Sequence, residues 1–139
     1  MVLLSLALHS RPQSLIFHNG QDKDSLSFFQ FFQVLKDAKK QGKVVGAYGA
    51  AAKGNTLINF CGISQELIEF VVDASPSKQG KFLPGSHIPV VSEECIKETR
   101  PDYILILPWN LKEEIVEQLS YIRNWGGQYI VPIPRLGLI

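Results

Sequence analysis

Residues 43–56 read Lys-Val-Val-Gly-Ala-Tyr-Gly-Ala-Ala-Ala-Lys-Gly-Asn-Thr, and the fold follows from them. Val44 and Val45 begin an apolar run that passes into small residues, Gly46, Ala47, Gly49, Ala50, Ala51, Ala52 and Gly54. A helix-compatible segment follows over residues 55–60. A buried parallel strand, a tight turn without bulky side chains and a helix start are written this way. Small residues let backbone N–H groups approach an anion, and the positive end of the next helix helps to hold it. Lys53 adds a mobile cation at the rim. The stretch suggests a phosphate or pyrophosphate site. As a dinucleotide fingerprint, Gly46-x-x-Gly49 followed by alanines is a loose match. As a P-loop it fails, because Lys53 precedes Gly54 and Asn55-Thr56 stands where Lys-Ser/Thr is required. The competing explanation is that the small residues only permit tight helix–sheet packing.

The whole chain bounds these alternatives. Its 139 residues suit one domain with a sizeable core. Hydrophobic residues make up 45% and charged residues 19%, the balance of a globular fold rather than a disordered one. The formal net charge of +1 lacks the electrostatic footprint of a nucleic-acid binder. Cys61 and Cys95 stand far apart with no Cys/His cluster, so they read as reduced thiols of a cytoplasmic protein and no metal site is expected.

Residues 1–8 are apolar but lack the basic start and small-residue cleavage site of a signal peptide, and the run is too short for a membrane span. Residues 1–23 are therefore expected to be an irregular or partner-facing segment, and residues 24–139 the domain. His9 and His18 are given no role. From Ser25 the pattern becomes helical: Leu26, Phe29, Phe32 and Leu35 recur at three-residue spacing, with Asp24 or Ser25 as cap and Lys39, Lys40 and Gly42 at the end. The phenylalanine density of this helix fits a core stripe better than a docking surface.

Past the glycine turn, the short helix ends at Gly62 and Phe70-Val71-Val72 forms a second buried strand. The strand stops at Asp73, where a nucleotide-binding fold places its ribose-binding carboxylate; a carboxylate that caps the next turn is the alternative. Residues 73–89 form a long loop carrying Lys78, Lys81 and His87. Val90-Val91 reads as an edge strand, and residues 92–100 as a helix. Tyr103-Ile-Leu-Ile-Leu107 reads as a strand covered on both faces, followed by Pro108-Trp109-Asn110. A helix is expected from Leu111 to about Asn124, and residues 128–131 form the last strand. Trp109 and Asn110 lie where a ligand would sit, or serve as a packed aromatic and a helix cap. The alternation argues an α/β fold: a doubly wound, mainly parallel sheet in three α/β/α layers.

Five blocks together carry a resemblance: residues 48–56, 72–80, 83–89, 101–110 and 126–134, reading Tyr-Gly-Ala-Ala-Ala-Lys-Gly-Asn-Thr, Val-Asp-Ala-Ser-Pro-Ser-Lys-Gln-Gly, Leu-Pro-Gly-Ser-His-Ile-Pro, Pro-Asp-Tyr-Ile-Leu-Ile-Leu-Pro-Trp-Asn and Gly-Gly-Gln-Tyr-Ile-Val-Pro-Ile-Pro. Over about residues 26–134 the chain resembles the Rossmann-like C-terminal domain of S-adenosylmethionine-dependent sugar C-methyltransferases, which methylate a carbon of a nucleotide-linked deoxysugar. Full-length members also carry a zinc-binding region and a methyl-donor domain, neither of which this sequence matches. The resemblance implies a substrate-binding half that takes a nucleotide-diphosphate sugar, with thymidine as the expected nucleoside. S-adenosylmethionine belongs to the full-length family, with no cofactor bound by this chain, no catalytic residue on it and no activity alone. Tyr48, Gly49, Ala50, Lys53 and Asn55 would line the nucleotide diphosphate and sugar; Asp73, Lys78, His87, Trp109 and Asn110 are further candidates. A methyl-donor domain on another chain, or self-association, is an implied partner. Two other classes remain: an NAD-dependent oxidoreductase fragment, from the glycine turn and Asp73, and a non-catalytic interaction module that docks through the phenylalanine-rich helix.

Overall fold

A computed structural model describes residues 23–132 and 137–139, with side chains from residue 28 onward. The N-terminal segment 1–22, the side chains of Asp24, Ser25 and Leu26, and residues 133–136 lie outside what is described. In chain order the elements are α1 (Lys23–Lys40), β1 (Val45–Tyr48), α2 (Ala52–Phe60), β2 (Val71–Val72), β3 (Val90–Val91), α3 (Glu94–Thr99), β4 (Tyr103–Ile106), α4 (Lys112–Gln118), β5 (Gln128–Val131) and β6 (Gly137–Leu138).

The strands form one sheet in the order β3-β2-β1-β4-β5-β6. The pairs among β1 to β5 are parallel, and β6 pairs antiparallel with β5. This is the order of a doubly wound dinucleotide-type sheet, so the expected fold class is borne out. Residues 128–131 are not the last strand. The chain returns, and Ile130 faces Leu138 across the β5–β6 pair.

Two cores explain why both faces of the sheet are apolar. On one face Val45, Ala47, Val71, Tyr103, Leu105 and Ile130 pack under α1 and α2. On the other, Phe70, Val72, Ile104, Ile106 and Tyr129 pack against Ile96, Ile115, Leu119 and Ile122. Alternate residues of β4 thus enter opposite cores, and a covered parallel strand has to be apolar throughout.

Three sequence expectations shift in detail. In α1 the buried stripe is Phe31, Val34, Leu35 and Ala38, while Phe29 is 46% exposed. The strict three-residue stripe through Phe29 and Phe32 drifts off the core face, because a helix turns every 3.6 residues. Helix α2 starts at Ala52, three residues before the expected start, since alanines propagate a helix well. The helix expected to run to Asn124 changes after Gln118 into a 3₁₀ segment, Ser120–Trp125. The buried Tyr129 hydroxyl donates to the carbonyls of Leu119 at 2.8 Å and Val116 at 3.1 Å. It thereby engages acceptors that a continuing α-helix would use.

Glycines set how closely the layers approach. A Cβ on Gly46 would lie 2.5 Å from the Phe70 ring, and one on Gly54 would lie 2.7 Å from Leu107 Cβ. Gly54→Ala therefore tests packing against propensity. Alanine gains up to about 1 kcal/mol in a helix, whereas forcing an added methyl into a filled space costs about 1–3 kcal/mol. The expected outcome is a lower urea midpoint; a raised midpoint would mean that α2 moves off β4 at no cost.

Candidate functional site

In the sheet order, β1 lies between β2 and β4, and the connections leaving β1 and β4 diverge to opposite faces. Open α/β sheets bind ligands in the crevice that such a switch point leaves beyond the carboxyl ends of the strands. Here the crevice lies between the β1–α2 turn and the segment that follows β4.

The turn is held from three sides. Gly49, at φ +97°, donates its N–H to the Val72 carbonyl at 2.7 Å. A Cβ there would meet Pro108 Cδ at 2.5 Å, so the turn rests directly on the segment after β4. The next N–H, of Ala50, donates to Asp73 Oδ2 at 2.8 Å. Asp73 Oδ1 accepts the Ser75 N–H, also at 2.8 Å. Both carboxylate oxygens thus hold this chain's own backbone, which is the turn-capping alternative raised by the sequence. Lys78 Nζ donates to the Ala50 carbonyl at 3.2 Å and lies 3.8 Å from Asp73 Oδ2.

Ala51 precedes α2 with extended backbone and offers no side-chain cap. The first-turn N–H groups of α2 therefore lack intrahelical acceptors and stand next to exposed Ala51, Ala52 and Lys53. Lys53 forms no ion pair among the described residues. Asn55 is half-buried, and its side-chain carbonyl oxygen is buried with no hydrogen-bond partner among the described residues. A cleft of about 360 Å³ adjoins this turn, lined by Phe28, Lys53, Thr56, Leu57, Phe60 and Trp109. A smaller hollow of about 180 Å³ borders Ala50 and takes in Lys78, Lys81 and Phe82.

Not every candidate joins this group. Gly49, Ala50, Asp73 and Lys78 meet at the turn, and Lys53 and Trp109 meet in the larger cleft. Tyr48 belongs to the opposite face. It packs against the core under α3 and α4, and its hydroxyl accepts from Gln118 Nε2 at 3.0 Å. Gln118 also donates to Glu93, which accepts from the Tyr121 hydroxyl at 3.0 Å. Burial, and then this bond, push the Tyr121 phenol far above its ordinary value. Exposed His87, at φ +60°, closes a turn by donating its N–H to the Leu83 carbonyl at 3.0 Å and lines neither cavity. Asn110 is exposed in the 3₁₀ turn Trp109–Leu111 and lines neither.

Sequence reasoning missed Phe28, Thr56, Leu57 and Phe60. A signal for the last three existed: with Lys53 they recur at i, i+3, i+4 and i+7, which is one helix face. Among the described residues no His/Cys/Asp/Glu group has the arrangement of a metal site, and no helix is long and apolar enough to cross a membrane. Cys61 and Cys95 are free, and burial raises both thiols, which disfavours the reactive thiolate.

Comparison with known proteins completes these observations. A family model described as the C-methyltransferase C-terminal domain matches residues 22–134. The chain is 41% identical over 106 residues to the C-methyltransferase NovU of Streptomyces niveus. That match covers 76% of this chain and 25% of NovU, so the chain corresponds to about a quarter of that relative's length.

The pinning of the turn by Asp73 can be measured. Asp73→Ala leaves the Ala50 and Ser75 N–H groups without their charged acceptor, and such bonds are worth about 1.5–3 kcal/mol each. The expected outcome is a loss of about 2 kcal/mol in urea unfolding, with faster hydrogen exchange at those two amides. Unchanged exchange there would show that Asp73 does not hold the turn.

Proposed function

Because the chain belongs to the C-methyltransferase C-terminal domain family, we propose that it is the substrate-binding part of a sugar C-methyltransferase, with a nucleoside-diphosphate-linked deoxysugar as ligand. One observation carries this reading: Lys53, which follows β1, and Trp109, which follows β4, line the same cleft at the switch point of the sheet. That edge offers what a diphosphate needs. Lys53 supplies a cation with no ion pair among the described residues, and the first turn of α2 supplies N–H groups at the positive end of a helix. Gly49 and Ala50 let the ligand approach the backbone, and Lys78 and Lys81 add positive charge at the neighbouring hollow. Asp73 acts on the ligand indirectly, by holding the turn that presents these groups.

S-adenosylmethionine supplies the methyl group in this chemistry. The described residues do not fit it. The acid at the end of β2, which would take a nucleoside ribose in such a sheet, has both oxygens on backbone N–H groups. The same occupancy weighs against the NAD-dependent alternative. In this proposal the donor pocket and the base that removes the sugar proton lie in other parts of the enzyme. This domain contributes orientation, which is worth a large share of a bimolecular barrier.

Calorimetric titration of residues 1–139 with thymidine diphosphate, NAD and S-adenosylmethionine tests the proposal. The expected result is binding of thymidine diphosphate alone, weakened about tenfold or more by Lys53→Ala, the loss of one charge-assisted contact. Binding of S-adenosylmethionine in place of the nucleotide would overturn it, as would methyl transfer by this chain alone.

A further inference from the structure

The larger cleft is lined mostly by apolar side chains. Its polar contribution is small: Lys53 and Thr56 stand among Phe28, Leu57, Phe60 and Trp109. Two of these aromatics already pair with each other, the Phe28 and Phe60 rings lying 5.1 Å apart and tilted by 59°. Phe60 nevertheless remains 72% exposed, an unusual position for a phenylalanine at the end of a short helix. Trp109 reaches the cleft from the other side of the switch point while packing against both cores, which fixes its ring. The packed aromatic face of one element and the exposed ring of another thus border one volume of about 360 Å³, within the range of small-molecule sites.

We infer that this cleft is the seat of the nucleobase, stacked among Phe28, Phe60 and Trp109, with Lys53 at the boundary between base and diphosphate. The inference rests on the proposed function and adds the direction in which the ligand lies. The ring sits between α1 and α2, and the charged part runs over the first turn of α2 toward Ala50, Lys78 and Lys81. Base–aromatic stacking tolerates any base, because every base presents a π-face. The cleft should therefore select a nucleoside over a bare diphosphate more strongly than it selects one base over another. The opposite hollow suits the ring less well: it is half the volume, about 180 Å³, and carries two lysines and one exposed phenylalanine.

Six titrations of residues 1–139 decide the matter: thymidine diphosphate, uridine diphosphate and inorganic pyrophosphate against the wild-type chain, and all three against Phe60→Ala. Phe60 is exposed, so the variant is expected to fold; a circular-dichroism melt verifies this. Stacking of a base on an aromatic is worth at least about fivefold in affinity by alanine substitution. The expected result is that both nucleotides bind the variant about fivefold or more weakly, while pyrophosphate affinity is unchanged. Lys53→Ala should weaken all three. In a Trp125→Phe background, either nucleotide should quench the fluorescence of Trp109 and pyrophosphate should not. Nucleotide binding that survives Phe60→Ala at wild-type strength, without quenching, overturns the ring seat and leaves the proposed function standing. Self-association that Phe60→Ala abolishes, with nucleotide affinity untouched, also overturns it and assigns the aromatics to an interface. No binding of any nucleotide by the wild-type chain overturns both.

Discussion

The C-terminal edge of this sheet depends on backbone approaching side chains that leave no room for a Cβ. Gly46 lies under the Phe70 ring, Gly49 against Pro108 and Gly54 against Leu107. Through the last two contacts, the β1–α2 turn and the start of α2 rest on the segment that follows β4. The cleft is a consequence. When α2 sits low on the sheet, Lys53, Thr56, Leu57 and Phe60 present one face toward α1 and Trp109. A helix lifted by one methyl group would move that face away from the tryptophan.

Packing and anion approach were posed by the sequence as rivals, and in the structure they occupy different atoms. Gly46, Gly49 and Gly54 answer to packing, because each has a specific neighbour at less than van der Waals distance from an added Cβ. The alanines at 51 and 52 answer to openness, because they are exposed and Ala51 leaves α2 without a side-chain cap. A serine or aspartate at the cap would stabilise the helix by about 1 kcal/mol, and the chain forgoes it where the first-turn N–H groups have no intrahelical acceptor. Asp73 supplies the order that the missing cap does not. Its two oxygens tie Ala50 on one side and Ser75 on the other, so turn and loop are fixed by one buried-edge carboxylate.

Much of this was legible in the sequence, for reasons that differ between its parts. The apolar run of β4 and the small-residue turn after β1 announced a two-sided sheet, because burial on both faces leaves few other residues possible. The break after Gln118 was not legible. It is associated with the hydroxyl of Tyr129 on a strand ten residues further on, and local pattern does not carry contacts across the sheet. Strand β6 escaped for the same reason, since a two-residue strand carries no periodicity. At the site, Lys53 was legible as a cation at the rim of the small-residue turn, and Trp109 because it closely follows a strand. The family resemblance implies a ligand role for Tyr48, yet alternation along β1 sends its side chain to the opposite core, where Gln118 holds it. Helical spacing puts Phe60 on one face with Lys53, Thr56 and Leu57, but that it stays exposed and meets Phe28 depends on the relation of α2 to α1.

In the proposed role the domain binds without reacting, and the same geometry bears on why. Its polar groups at the crevice are cations, backbone donors, the Asn55 amide, the Thr56 hydroxyl and a committed carboxylate; neither the amide nor the hydroxyl is a base, and Asp73 is tied by two backbone N–H groups and lies beside Lys78. A general base needs a free acceptor within hydrogen-bond reach of the proton it removes. Among the candidate residues Asp73 alone is acidic, and freeing it would release the turn that shapes the proposed anion site. His87, the candidate with an imidazole, lies on a separate turn that borders neither cavity. Positioning and proton removal therefore make opposing demands on this edge of the sheet. A binding domain whose turn must stay closed is best paired with a base carried on another element, where ligand binding can bring the two together.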